Sequence, residues 1–434
     1  MTSSNSAFTR EYTRLGVAIG AVVVIAALNQ RPALTSIGPV TSLIVEDTGL
    51  SESMIGLVAA LPLVVMGLAA ITMPKLARRF TMDNLVIASL FGLAAATIIR
   101  SWVPGAGLWI GTIGVGAAIG LLNALLPAII KRDFPMLAAT VTGIYSAALT
   151  AGAAFSAGFA YPIAQATTWR AATGIWSVLA LLGVLAWTVI GILRAREQKR
   201  FAAAHRASTV PDGAAAPGLA TPGESATSPQ NAKQPTAVVG KKLPHLNVWK
   251  TALGWQVTLF TGMQSLTFYL IVQWLPAIEA EAGVSPESAG THLMIFQSAS
   301  LVSNLLITGI VRERRDQRLL AFVMPIMTTL VGWGFFFAPT VPLLWVTLAG
   351  LGAGGSFVTA LSFISTRTSN SQDAAELSGM SQSLGYIIAA LGPAVAGSLA
   401  TAAGSWTPVL LFMMAMGICT GLVGYFAGRN RTLR

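Results

Sequence analysis

Ala27-Leu-Asn-Gln-Arg-Pro-Ala-Leu-Thr-Ser-Ile-Gly-Pro39 closes the first long apolar segment of the chain and sets a guanidinium, Arg31, inside it with no acidic residue nearby in sequence. An arginine at the centre of a membrane helix costs about 2.5–3.5 kcal/mol on insertion scales, so such residues usually face a water-filled cavity and bind something there. The stretch therefore points to a membrane helix bundle whose interior captures an anion. The blander alternative is snorkelling, because Arg31 lies about seven residues, or roughly 10 Å at 1.5 Å per residue, from the outer end of its segment. Pro32, directly after the arginine, lacks an N–H and can open the local backbone.

Composition extends the membrane reading to the whole chain. Of 434 residues 54% are hydrophobic and only 10% charged, against about 25% charged in soluble domains, and the mean hydropathy is +0.69. With about 20 apolar residues needed per spanning helix, twelve segments qualify: 15–38, 54–73, 85–102, 107–130, 137–163, 171–193, 251–275, 289–310, 319–338, 341–365, 376–402 and 406–427. These runs are too long, and too rich in Ala, Leu and Gly, for spanning strands. The expected fold class is an all-α integral membrane protein.

The net charge of +11 would suggest nucleic acid in a soluble protein, but here the charges sort by loop. Arg10, Arg14, Arg78, Arg79, Lys131, Arg132, Arg314, Arg315, Arg367 and Arg429 fall on one side; Glu46, Asp47, Glu52, Glu279, Glu281 and Glu287 fall on the other, opposed only by Arg100 and Arg170. By the positive-inside rule both termini are expected in the cytoplasm and the chain in the cell inner membrane. Arg100 and Arg170 lie at expected outer helix ends, where snorkelling is the default. The charge balance thus reports topology, with membrane lipid rather than nucleic acid as the partner, and a monomer as the expected state.

One cysteine, Cys419, excludes an internal disulfide and a cysteine metal cluster, and the three histidines are scattered at 205, 245 and 292. The glycine runs at 111–120 and 350–355 follow no strand, so they read as close helix packing rather than a phosphate cradle. No His/Asp/Glu constellation lies inside the spans, which disfavours an enzyme and any metal or cofactor. The first apolar segment also exceeds the core of a cleavable signal peptide.

Between 194 and 250 the composition turns to Ala, Pro, Ser, Thr, Gly and Lys, which cannot bury enough apolar surface to order itself. This expected flexible cytoplasmic linker separates six spans (1–193) from six (251–434). The halves echo each other: Gly49-Leu-Ser-Glu-Ser-Met-Ile-Gly56 matches Gly283-Val-Ser-Pro-Glu-Ser-Ala-Gly290 in its glycines and a serine. Gly143 pairs with Gly379 and Trp169 with Trp406 at a similar offset. A duplicated six-helix unit inserts both copies in the same direction, which is the parallel-repeat plan of major facilitator carriers.

Six stretches sharpen this into a family resemblance: Asn29–Pro39, Leu61-Pro-Leu-Val-Val-Met-Gly67, Leu126-Pro-Ala-Ile-Ile-Lys-Arg132, Gly143-Ile-Tyr-Ser-Ala-Ala148, Gln264-Ser-Leu-Thr-Phe-Tyr269 and Trp274-Leu-Pro276. Together they resemble the cyanate and nitroimidazole porter branch of the major facilitator superfamily, nearly end to end. The loop Pro74-Lys-Leu-Ala-Arg-Arg-Phe80 keeps the superfamily's basic residues but lacks its usual acidic partner. The resemblance implies that segments 1, 4, 7 and 10 line a central cavity.

Helical phase then selects among the polar residues of those segments. At about 100° per residue, Arg31, Thr35 and Gly38 share a stripe, and Asn29 points roughly 160° away from Arg31. In segment 7, Ser265, Tyr269 and Gln273 follow an i, i+4, i+8 line. Gln264 is added by the resemblance; segment 4 offers Asn123, and segment 10 offers Ser356, Thr359 and Ser362. Tyr145 and Trp274, inside family-like stretches, are further candidates, with packing or an interfacial belt as the alternative. Apart from Glu376, the first residue of segment 11 at its inner end, no Asp or Glu lies within the twelve segments, which disfavours proton coupling through a buried carboxylate. His292, near the outer end of segment 8, is a candidate for coupling or gating.

These residues suggest a carrier of a small anionic or weakly acidic nitrogen compound, working by alternating access. Cyanate and 2-nitroimidazole are substrates implied by the resemblance alone. Efflux of a lipophilic drug is a second reading, since a weakly polar aromatic cavity would serve it. A membrane receptor or scaffold is a third, against which the duplicated halves speak.

Overall fold

Twelve helical units make up the computed structural model, which describes residues 16–208, 247–313, 316–369 and 371–433. In chain order α1 covers 16–48, with α2 Glu52–Ala77, α3 Met82–Trp102, α4 Ala106–Asp133, α5 Ala138–Ala166 and α6 Trp169–Ser208. The second six are α7 Ala252–Glu281, α8 Pro286–Glu313, α9 Arg318–Phe337, α10 Pro342–Thr366, α11 Ser371–Ala403 and α12 Thr407–Ala427. Ten are individually long and apolar enough to cross a membrane, and α9 becomes an eleventh when its two parts, bent by 43°, are taken together. The twelfth, α7, is 30 residues long but spends Gln256, Gln264, Gln273 and Glu279 on its length.

Two helices are broken where the sequence puts a proline. In α1 the regular helix over 16–28 gives way to a turn at Asn29–Arg31, a four-residue helix Pro32–Thr35, a 3-10 turn Gly38–Val40 and a last helix Thr41–Thr48. Pro32 opens that helix, as a residue without an N–H can. The segment expected at 319–338 bends after Thr328, where Pro325 lies one turn back and the Thr329 hydroxyl donates to the Ile326 carbonyl at 2.9 Å.

Small residues set the spacing between helices, as expected where no hydrophobic force separates helix from lipid. A Cβ on Gly116 of α4 would lie 2.7 Å from the backbone of Pro62 in α2, and one on Gly392 of α11 would meet the Leu266 carbonyl of α7. The pairs α2–α11 and α5–α8 join the first six helices to the last six.

Three expectations are corrected. The linker expected from 194 begins later, because α6 continues to Ser208; its 194–207 stretch is dense in Ala, Arg, Lys and Glu, all good helix formers. Residues 209–246 lie outside the described residues. Arg100 does not snorkel: it is 2% exposed and donates to the Ala33 carbonyl at 2.5 Å. A carboxylate is buried after all, since α7 runs on past 275 and carries Glu279 at 0% exposure.

Candidate functional site

Because α1 breaks at Arg31, that side chain leaves the helix surface and reaches across to α7. Its Nη1 donates to the Tyr269 hydroxyl at 2.9 Å, and its guanidinium carbon lies 5.7 Å and 5.6 Å from the ring centres of Phe268 and Tyr269. No carboxylate pairs with it among the described residues. Aromatic faces attract a cation without neutralising it, so Arg31 keeps a net charge for a ligand.

The cavity around this pair has a volume of about 80 Å³ and is built from six helices. Gln264, Ser265, Phe268 and Tyr269 come from α7; Ser146, Thr150 and Ala153 from α5; Gln297, Ser300 and Asn304 from α8. Ala353, Phe357 and Leu361 of α10 and Gln382 and Tyr386 of α11 complete the wall. Gln264 donates to Ser265 Oγ at 2.7 Å and to the Thr261 carbonyl at 3.2 Å. The Gln297 Nε2 is buried without a hydrogen-bond partner among the described residues.

Of the residues singled out in the sequence, Arg31, Gln264 and Tyr269 converge on this cavity. Gln273 lies one level up, where its Nε2 donates to Thr41 Oγ1 at 3.1 Å and it shares a small adjoining pocket with Tyr269. Asn123 stands behind the wall, its Nδ2 3.4 Å from the Tyr386 hydroxyl. Thr35 is fully buried against α5, with Ser156 Oγ at 2.5 Å and the Arg31 carbonyl at 3.0 Å. Tyr145 donates to Gln30 Oε1 at 3.3 Å, and Trp274 donates to the Pro393 carbonyl at 2.9 Å. Asn29, in the turn where the regular helix has ended, points away from the cavity to the Leu179 carbonyl of α6.

The main cavity takes nothing from α4, and α10 supplies it none of Ser356, Thr359 or Ser362; α5, α8 and α11 supply polar residues that segment choice overlooked. A signal existed: Gln297, Ser300 and Asn304 follow i, i+3, i+7 spacing in an apolar helix, and Ser146/Thr150 and Gln382/Tyr386 follow i, i+4.

His292 is not among the residues lining this cavity and sits in a pair with Glu279. Its Nδ1 is 2.8 Å from Oε1 of the fully buried Glu279, whose Oε2 has no hydrogen-bond partner among the described residues. The pair ties α8 to α7 just beyond their connecting turn.

The cavity is closed at one end and open at the other. At the end bearing the acidic loops, a Cβ on Gly56 would lie 2.6 Å from the Pro393 carbonyl, and one on Gly397 would lie 2.6 Å from the Glu52 carbonyl. Ser53 N–H donates to Thr401 there, and Trp274 packs 4.9 Å from Trp406. Arg170, beside it, pairs with Asp47 at 2.7 Å. Toward the basic end the cavity joins a cleft of about 550 Å³ between α5, α8 and α10, sharing Ser146, Asn304, Phe357 and Leu361 and running out past Thr142, Thr308 and Thr366. The two helices α5 and α8 thus touch at Gly158 and Met294 and splay apart below. The basic end is pinned by Arg132 and Arg194, both paired with Asp83 and Asp133.

Comparison with known proteins fits this architecture. Residues 23–390 and 257–433 match the model of the Major Facilitator Superfamily. A 2-nitroimidazole transporter of Escherichia coli (strain K12) is 32% identical over 413 residues, covering 95% of each chain. A cyanate transport protein, CynX, of the same organism is 27% identical over 389 residues, covering 89% of this chain and 90% of its own. Among solved structures, a D-xylose-proton symporter superposes with a TM-score of 0.70 at 15% identity, covering 96% of this chain and 99% of its own, a likeness of fold alone.

Proposed function

The chain belongs to the Major Facilitator Superfamily, and from that membership we propose that this secondary transporter moves a small anionic or weakly acidic nitrogen compound by alternating access, with Arg31 as the central cation. The observation that carries the reading is Arg31 itself. It is a guanidinium in a cavity wall with aromatic faces and a tyrosine hydroxyl for company and no paired carboxylate among the described residues. A charge placed so expensively is offset when an anion arrives. Gln264, Ser265 and Gln297 add neutral donors and acceptors around it.

Relatives named as 2-nitroimidazole and cyanate carriers support a substrate of this size and chemistry. The inner cavity of about 80 Å³ around Arg31 matches a small solute, although the cleft of about 550 Å³ that it joins would also admit a drug-sized one. The closed end at the acidic loops and the open end at the basic loops support an inward-open state, with both termini cytoplasmic.

Counterflow in proteoliposomes tests the reading. Purified carrier loaded with unlabelled cyanate or 2-nitroimidazole should take up the matching radiolabelled compound faster than protein-free vesicles. Absence of counterflow for both compounds, and for other small weak acids, would refute it.

A further inference from the structure

We propose that Arg100 is a positioning residue for the anion site: it holds the break in α1 open and so sets where Arg31 points. The inference rests on the reading of Arg31 above, but starts from a different guanidinium. Arg100 lies in the last turn of α3 and is 2% exposed. No carboxylate pairs with it among the described residues, and one of its nitrogens, Nη2, is buried with no partner at all. Among the described residues its one hydrogen-bond partner is the Ala33 carbonyl, which Nη1 reaches at 2.5 Å.

That carbonyl belongs to the broken part of α1. In an unbroken helix it would accept from the N–H of Ile37, but the short helix Pro32–Thr35 ends before that donor comes into register. A carbonyl left orphaned in a membrane interior is costly. The Arg100 guanidinium takes it over, and a charged donor makes a stronger bond than a neutral one. On the opposite face the same short helix is tied to α5 through Thr35 and Ser156. Between these two anchors the peptide of Arg31 has one orientation, and its side chain is delivered to Tyr269.

The surroundings are shaped to seal Arg100 in. Gly111 of α4 packs so tightly on it that a Cβ there would lie 2.5 Å from the Arg100 Cβ, and a Cβ on Gly107 would lie 2.9 Å from the Ile99 carbonyl. Glycine at these positions lets α4 cover the guanidinium stem and keep water off the bond to Ala33.

A positioning role has two readouts that a merely structural arginine would not move. The first needs no substrate. In a Cys419→Ser background, Arg31→Cys should react with a small thiol reagent entering the cavity, and adding Arg100→Met should change that rate at least tenfold. Arg100→Lys, which keeps a charged donor, should restore most of it. The second readout is affinity. Arg100→Met should raise KM for the anionic substrate at least tenfold with kcat within about threefold, and should have no further effect once Arg31→Gln is present. If Arg100→Met does not fold, Arg100→Gln takes its place in both measurements. Unchanged labelling with Arg100→Met or Arg100→Gln, or affinity losses that add to those of Arg31→Gln, would overturn the proposal. Altered labelling in a protein that binds no anion even as wild type would instead leave Arg100 as the positioning residue and sink the anion reading.

Discussion

Arg31 and Tyr269 meet at 2.9 Å across the divide between the first six helices and the last six. The donor comes from a broken stretch of α1 and the acceptor from α7, 238 residues further along the chain. In a carrier whose two halves rock against each other, such a bond is made or stretched as the cavity changes face. On the proposed reading, an anion bound to Arg31 would compete for the same donors, which would couple occupancy and conformation at one side chain.

The first prediction tests that charge. Arg31→Gln should fold but lose binding of any anionic substrate by about 2–5 kcal/mol, the range for truncating one partner of a buried charged pair. Arg31→Lys keeps the charge and loses the planar fork of donors, so weak affinity should survive. Isothermal titration or counterflow, with melting temperatures measured first, separates the cases. Unchanged affinity in a folded Arg31→Gln protein would mean that the arginine only anchors α1.

A second prediction concerns the closed end. Gly397 has room for no side chain, because a Cβ would lie 2.6 Å from the Glu52 carbonyl and 2.9 Å from the Trp274 ring. Overpacking costs about 1–3 kcal/mol; the clash of Gly397→Val with Trp274 lies within the last six helices, but the clash with Glu52 falls only on the state in which α2 and α11 are closed at this end. The equilibrium should shift toward the outward-open state by roughly five- to hundred-and-fifty-fold. A cysteine replacing Ser53, which bonds Thr401 across this seal, should become reactive from outside while transport falls. Continued protection of that cysteine with normal transport would contradict the assignment of this end as the gate.

Much of this site is legible in the sequence, for physical reasons that can be named. Arg31 stands out because a lone charge in an apolar segment has few cheap explanations, and Pro32 marks the break because it cannot donate a hydrogen bond. Asn29 and Arg31 do face different ways, but across a turn rather than by the helical phase expected from the sequence. What the sequence hides depends on tertiary packing. Arg100 reads as a helix-end residue until Gly107 and Gly111 of a neighbouring helix are seen to close over it. Glu279 reads as a loop acid until α7 proves longer than its apolar run and brings it to His292. The stripe of Gln297, Ser300 and Asn304 was visible as a pattern, but which face of α8 meets the cavity is a property of the bundle.

The third prediction is topological and follows from the charge of the loops. A cysteine at Ser228, in a Cys419→Ser background, should resist an impermeant thiol reagent in intact cells and react once the membrane is opened. Deleting residues 209–238 should leave transport within about twofold, since a polar spacer of this composition contributes little packing. Labelling of Ser228→Cys from outside would invert the orientation.

The last prediction concerns energetics. The cavity holds a fixed guanidinium, and none of the residues lining it is a carboxylate. If a monovalent anion crosses alone, the membrane potential opposes its uptake into a negative interior by about 2.3 kcal/mol per 100 mV, roughly fiftyfold in concentration. Accumulation then needs a compensating step: exchange for an internal anion, movement of a proton with the substrate, or consumption of the substrate inside. Liposomes carrying the purified protein should accordingly show counterflow that is indifferent to an imposed potential, or should equilibrate a neutral, protonated substrate without concentrating it. An inside-negative potassium diffusion potential, set with valinomycin and no pH gradient, should drive no anion accumulation. A clear rise of internal anion under that potential, with no exchangeable anion inside, would refute the scheme and require a coupling cation bound elsewhere in the bundle.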